Sequence, residues 1–150
     1  MQKGSNRIVV YTRVSTKEQA ENNQSLSMQK KYCDVYALEH GLEVAAYFGG
    51  TYESAKTDER KEFNRMLAFV KSSKEQISKI LVYSPDRFSR SGANAIYISQ
   101  QLRENGIDII SVTQQTDTRT SSGKLHQNMQ FLFSQWDNDQ RREKSISGTV

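Results

Sequence analysis

Arg7-Ile8-Val9-Val10-Tyr11-Thr12-Arg13-Val14-Ser15-Thr16 is the stretch from which the rest of the chain is best read. Its β-branched and aromatic residues from Arg7 to Thr12 predict a buried strand, which hands Arg13 and Ser15 to the loop that follows. A second run, Ile80-Leu81-Val82-Tyr83, ends in a comparable way. Pro85 lacks a backbone donor and holds Ser84 extended, so the strand stops there and Asp86-Arg87-Phe88-Ser89-Arg90-Ser91 begins a new element. Both segments place arginine and serine just after β-forming residues. A serine hydroxyl can attack a phosphodiester when arginines hold the phosphate oxygens and neutralise the charge that develops, so the pair has the ingredients of a phosphoryl-transfer site.

Between and beyond these strands the signals alternate. Met28, Tyr32, Val35 and Tyr36 recur at helical spacing until Gly41, which is placed to cap a carboxyl end. Leu42 to Phe48 predicts a second strand, broken by Gly49-Gly50. Asp58 is a plausible N-cap for a helix carrying Phe63, Met66, Leu67 and Val70. A third helix is expected from about Gly92 to Asn105 with Gly106 as its cap, followed by a fourth strand over Ile107–Val112. Leu125, Met129, Leu132, Phe133 and Trp136 form the stripe of a long final helix; Phe131, Phe133 and Trp136 read as core and interface packing, with their surplus marking a dimer surface. The order βαβαβαβ predicts an α/β domain: a three-layer open sheet of mostly parallel strands with helices on both faces, followed by a long C-terminal helix. In such sheets ligands bind beyond the carboxyl ends of the strands, where this topology delivers Arg13 to Ser15, Glu53 and Ser54, and Asp86 to Arg90.

Composition bounds the partners. At 150 residues one domain is expected, and 21 basic against 17 acidic side chains give a net charge of +4, compatible with a polyanion but too modest to demonstrate one. Cys33 is the only cysteine, which excludes an intramolecular disulfide and a cysteine-based zinc site and fits a reducing cytoplasm. Met1 to Asn6 lacks an apolar signal core, and no apolar run approaches the roughly 20 residues that span a bilayer, so no membrane partner is expected. Ser121-Ser122-Gly123-Lys124 echoes the end of a phosphate-binding loop without its leading strand and reads as a flexible loop. His40 and His126 lie away from the expected strand ends and read as surface or capping residues, which leaves arginine-assisted activation of the serine; His126→Ala should leave activity intact. From spacing alone a blander account stands level: Ser15 or Thr16 capping a helix, Asp86 as an N-cap, and the arginines as solvated charge.

Four separated motifs tip that balance: Tyr11-x-Arg13-Val14-Ser15-Thr16-x-x-Gln19, Ser25-Leu26-Ser27-x-Gln29, Thr57-Asp58-Glu59-Arg60 and Asp86-Arg87-Phe88-x-Arg90. In this order they closely resemble the catalytic domain of serine recombinases, the group of resolvases, invertases and large serine integrases. The resemblance implies that Ser15 is the nucleophile, forming a 5′-phosphoseryl link to DNA and freeing a 3′-hydroxyl. It implies that Arg13, Arg60, Arg87 and Arg90 surround the scissile phosphate with permanently charged, bidentate guanidinium groups. Gln19 and Gln29 match polar residues that orient this cluster, Ser54 a serine near it, and Asp86 an aspartate that carries a proton or positions arginine. No cofactor and no essential metal are implied. The implied partners are double-stranded DNA, a second copy in a homodimer that assembles to a tetramer on DNA, and in some members an accessory protein that sets direction. The same resemblance divides the chain into a catalytic domain at 1–136 and, at 137–150, the start of an interdomain and oligomerisation helix cut before a DNA-binding domain. Asp137-Asn138 departs from the Glu-Arg that many members carry near there. Two rivals of other classes are a phosphoester hydrolase or nuclease using the same cluster, and a non-catalytic α/β regulatory domain.

Overall fold

β1 (Arg7–Thr12) and β3 (Ile77–Val82) lie side by side at the centre of a four-stranded sheet, with β2 (Glu43–Gly49) outside β1 and β4 (Asp108–Ser111) outside β3. All three pairings are parallel. The computed structural model describes residues 6–13, 26–49, 52–72, 74–88 and 91–148, with backbone alone at 52–60 and 137–148. The helices are α1 (Leu26–Glu39), α2 (Tyr52–Lys71), α3 (Gly92–Glu104) and α4 (Ser121–Gly148), and a 3₁₀ turn spans Pro85–Arg87.

The central strands are apolar on both sides because helices cover both faces of the sheet. Ile8, Val10 and Leu81 point to one face and pack with Cys33 and Ala37 of α1. Val9, Tyr11, Ile80 and Val82 point to the other, where Met66 and Val70 of α2, Ala95 and Leu102 of α3 and Phe131 of α4 complete a larger core. The expected three-layer parallel architecture is the one observed. Burial pushes the Cys33 thiol up to about 12, with the nearby Asp34 carboxylate adding to the shift, so the group is a neutral packing element. Among the described residues no helix is long and apolar enough to cross a membrane.

Several boundaries differ from expectation, each for a physical reason. β3 begins at Ile77 and not Ile80: the polar Ser78 and Lys79 conceal a strand whose Ser78 hydroxyl donates to the Arg7 carbonyl at 3.3 Å. α2 begins at Tyr52, six positions before the proposed Asp58 cap, because its first two turns carry no apolar periodicity and Phe63 is the first residue seen against the core. Ser121-Ser122-Gly123-Lys124 is the first turn of α4 and not a loop; the Thr120 hydroxyl accepts the Gly123 amide at 2.9 Å, as an N-cap does. The apolar stripe of α4 is also turned differently. Phe131 and Gln127 are the buried positions, whereas Leu125, Met129, Leu132, Phe133 and Trp136 are 43 to 60% exposed. Of the three aromatics read as core and interface packing, Phe131 lies in the core, and Phe133 and Trp136 are on the exposed side. α4 itself runs without a break from Ser121 through residue 136 to Gly148.

Candidate active site at the carboxyl edge of the sheet

The chain moves outward from β1 to β2, then crosses back to β3 and continues to β4, so strand order reverses between β1 and β3. The crevice beyond the carboxyl ends of two strands at such a reversal is where open α/β sheets bind ligands. Arg13 leaves β1 there, and Ser84 to Phe88 leave β3 there. The guanidinium of Arg13 donates from Nη2 to the backbone carbonyl of Asp86, joining two motifs that are 73 residues apart in sequence.

Arg13 is held from behind by one side chain. Gln29, fully buried in α1, accepts the Arg13 amide at 3.1 Å through Oε1 and donates to the Arg13 carbonyl at 2.9 Å through Nε2. A carboxamide is suited to this because it carries a donor and an acceptor side by side, which satisfies both backbone groups of a residue just past the sheet ladder. The end of the neighbouring strand is fixed by Gly49. Its φ of +96° and a position where a Cβ would stand 1.9 Å from the Thr12 carbonyl oxygen leave room for glycine alone. The Gly49 amide donates to Glu62 Oε1 at 3.2 Å, which ties this corner to α2.

On the β3 side, Ser84 caps the 3₁₀ turn, and its hydroxyl donates to Asp86 Oδ1. The other oxygen of that carboxylate stands 3.8 Å from Arg87 Nε. The Arg13 and Arg87 side chains are both nearly fully buried, and Asp86 remains about a quarter exposed. Phe88 anchors the turn, its ring 5.3 Å from that of Phe63 on α2 and 5.9 Å from that of Phe131 on α4. Two nearly buried guanidinium groups thus lie against Asp86 at this edge, Arg13 on its backbone carbonyl and Arg87 beside its carboxylate.

The structure therefore brings together Arg13, Gln29, Asp86 and Arg87. Ser15, Gln19 and Arg90 lie outside the described residues, as do the side chains of Ser54 and Arg60, whose backbone belongs to the first half of α2. Neither histidine takes part: His40 Nδ1 lies 2.9 Å from the Tyr36 carbonyl with its ring stacked on Tyr36, and His126 is exposed on α4. Ser84 was not singled out from sequence, although the Ser84-Pro85-Asp86 order is a recognisable turn signal. Among the described residues no cluster of His, Cys, Asp or Glu is placed to hold a metal ion.

The model of the resolvase N-terminal domain matches residues 8–150, nearly the whole chain. This chain belongs to that family. A Bacillus subtilis (strain 168) protein named as a DNA recombinase is 30% identical over 143 residues, which cover 95% of this chain and 27% of that protein. The Tn917 transposon resolvase of Enterococcus faecalis is 28% identical over 138 residues, covering 92% of this chain and 66% of the resolvase. The chain thus spans about a quarter of the first relative and two thirds of the second. Among solved structures, the N-terminal catalytic domain of TP901-1 integrase superposes with a TM-score of 0.68 at 27% identity, over 90% of this chain and 98% of that one. The resolvase domain seen here has the parallel sheet and helical layers described above, with Arg13 and Asp86-Arg87 meeting at the β1/β3 reversal.

Proposed function

We propose that this domain is the catalytic part of a site-specific DNA recombinase in which Ser15 is the nucleophile. The observation that carries this reading is the hydrogen bond from the Arg13 guanidinium to the Asp86 carbonyl, which closes two phosphate-type motifs into one site at the strand-order reversal. Ser15 follows Arg13 by two positions and Arg90 follows Arg87 by three, so Arg13 and Arg87 each stand close in the chain to a proposed site residue.

In the proposed reaction the Ser15 oxygen forms a bond to a DNA phosphorus while the bond from that phosphorus to the 3′-oxygen breaks. The hydroxyl proton is balanced by the proton taken up at the departing 3′-oxygen, giving a 5′-phosphoseryl link and a free 3′-hydroxyl. Religation runs the same steps backwards, so bond energy is conserved and no nucleotide is consumed. Arg13, Arg60, Arg87 and Arg90 hold the phosphate oxygens and meet the charge that grows on them. Asp86 positions Arg87 or carries the proton, Gln29 and Gln19 orient the arginine cluster, and Ser54 lies beside the substrate.

Double-stranded DNA is the proposed substrate and a second copy the proposed protein partner, with dimers pairing into a tetramer on DNA in the cytoplasm. The exposed residues Leu125, Met129, Leu132, Phe133 and Trp136 support this partner: they fall on one side of α4 over about 16 Å of helix, the kind of contiguous apolar face that is covered by association. The helix backbone continues to Gly148, and an accessory protein that sets direction would act on the assembled complex.

The test uses the whole protein and a duplex selected by it from a random-sequence pool. Incubation in EDTA followed by a denaturing gel should give a covalent protein–DNA band that Ser15→Ala abolishes. A duplex bound by the assembled protein with no such band, or a band that survives Ser15→Ala, would refute the proposal.

A further inference from the structure

Two turns of α4 look in both directions at once. Phe131 and Gln135 face inward, while Leu132, Phe133 and Trp136 on the same turns are 48 to 58% exposed. The inward contacts fall on the segment that carries the arginines. Phe131 packs its ring on Phe88, the residue after Arg87. Gln135 Oε1 accepts the backbone amide of Gly92 at 2.7 Å, at the first residue of α3 and two positions after Arg90.

That amide is one of the four at a helix start with no partner inside the helix. Ser91, the cap of α3, satisfies a different one, accepting the Asn94 amide at 3.2 Å. Gln135 therefore supplies what the cap does not, from another helix. The approach is close: a Cβ on Gly92 would stand 2.8 Å from the Phe131 carbonyl oxygen and 3.0 Å from Leu132 Cα, so only glycine lets α4 come near enough for the bond. The Arg87 turn is thus bounded on one side by the Ser84 cap, two residues past β3, and on the other by the Gly92–Gln135 bond, with Phe88 pinned between.

We propose that Gln135 is a positioning residue for catalysis: through the Gly92 amide, and with Phe131 packed on Phe88, it fixes the end of the turn that carries Arg87. The proposal rests on the recombinase reading for its activity, and on the α4–α3 contact for its geometry. A carboxylate at position 135 would also accept the Gly92 amide and would be favoured by the dipole at the start of α3, so Gln135→Glu should preserve the device that Gln135→Ala removes.

The experiment compares wild type, Gln135→Ala and Gln135→Glu as whole proteins. Adduct formation is timed on the selected duplex at saturating concentration, and amide hydrogen exchange is followed at Gly92. Loss of this part-buried hydrogen bond predicts a cleavage rate about tenfold lower for Gln135→Ala with DNA affinity unchanged. Gln135→Glu should cleave within about threefold of wild type, since its acceptor is retained at a favourable helix end. Exchange at Gly92 should quicken in Gln135→Ala and stay slow in Gln135→Glu. Wild-type cleavage by Gln135→Ala, or a Gln135→Glu that is no better than Gln135→Ala in both readouts, overturns the proposal. A wild-type protein that forms no adduct refutes the recombinase reading instead, and the Gly92 exchange comparison, which needs no catalysis, then decides on Gln135 alone.

Discussion

Arg13 and Arg87 stand at the ends of neighbouring strands, yet they are held by different parts of the molecule. Arg13 is fixed within the core: its backbone is clamped by a single buried side chain, Gln29, on a helix that packs directly against Ile8, Val10 and Leu81. Arg87 sits in a short turn whose neighbours reach outward, Phe88 to Phe131 and Gly92 to Gln135, both on a helix that exposes an apolar face. One half of the site is built by folding alone. The other half leans on two helices, α2 through Phe63 and α4 through Phe131 and Gln135.

The largest effects should come from the arginines, where the two halves meet. Arg13→Lys and Arg87→Lys each replace a planar fork by a point charge, and each should slow adduct formation by about 10³-fold, with DNA affinity much less affected. A loss below about tenfold at either position would mean that the described arginines are not the ones that meet the phosphate. Gln29→Leu should then separate the halves. It leaves the Arg13 amide and carbonyl buried without their partner, at about 1–3 kcal/mol of stability for each group, readable as a fall in the denaturant midpoint. An unchanged midpoint would show that the Arg13 corner relaxes without cost.

The outer face of α4 should behave in the opposite way. Trp136→Ala together with Phe133→Ser should change monomer stability by no more than about 0.5 kcal/mol per site, since both side chains are exposed, while sedimentation should show weaker self-association. A large stability loss with intact association would place these residues in a core the structure does not contain.

The smallest effect concerns Cys33 beneath the Arg13 half. Its thiol, raised from 9.0 to about 12, is protonated at neutral pH and should react with a thiol reagent only after unfolding. The sign of the linkage follows from the same shift. Above pH 9.0 the unfolded chain loses this proton more readily than the folded one, so the contribution of Cys33 to stability is whole below that pH and is lost as pH rises towards about 12. Cys33→Ala should flatten that part of the pH–stability curve, and an unchanged curve would mean that the thiol is not buried as described.

Much of this was legible in the sequence where local chemistry and tertiary packing agree. The apolar run at Ile8–Tyr11, the stop imposed by Pro85 and the turn at Gly106, with φ of +79°, each specify their element unaided. Where polar residues lie inside an element, the signal fails: Ser78 and Lys79 in β3, and the first two turns of α2. The stripe on α4 misleads in a different way, because apolar periodicity identifies a helix face without telling whether that face meets the core or a partner. Within the candidate site, Arg13 and Arg87 could be named from motifs. Gln29 could be named too, through the resemblance, although its clamp on the Arg13 backbone could not; the Gln135 bond is a long-range pairing made by an uncharged side chain, which no local pattern announces.

The most direct test of the account is to trap the covalent complex of the whole protein with its selected duplex, digest both components and locate the phosphonucleotide by mass spectrometry. The account predicts a single modified peptide with the nucleotide on Ser15. Attachment at any other residue, or no covalent peptide from a protein that cuts the duplex, would contradict it.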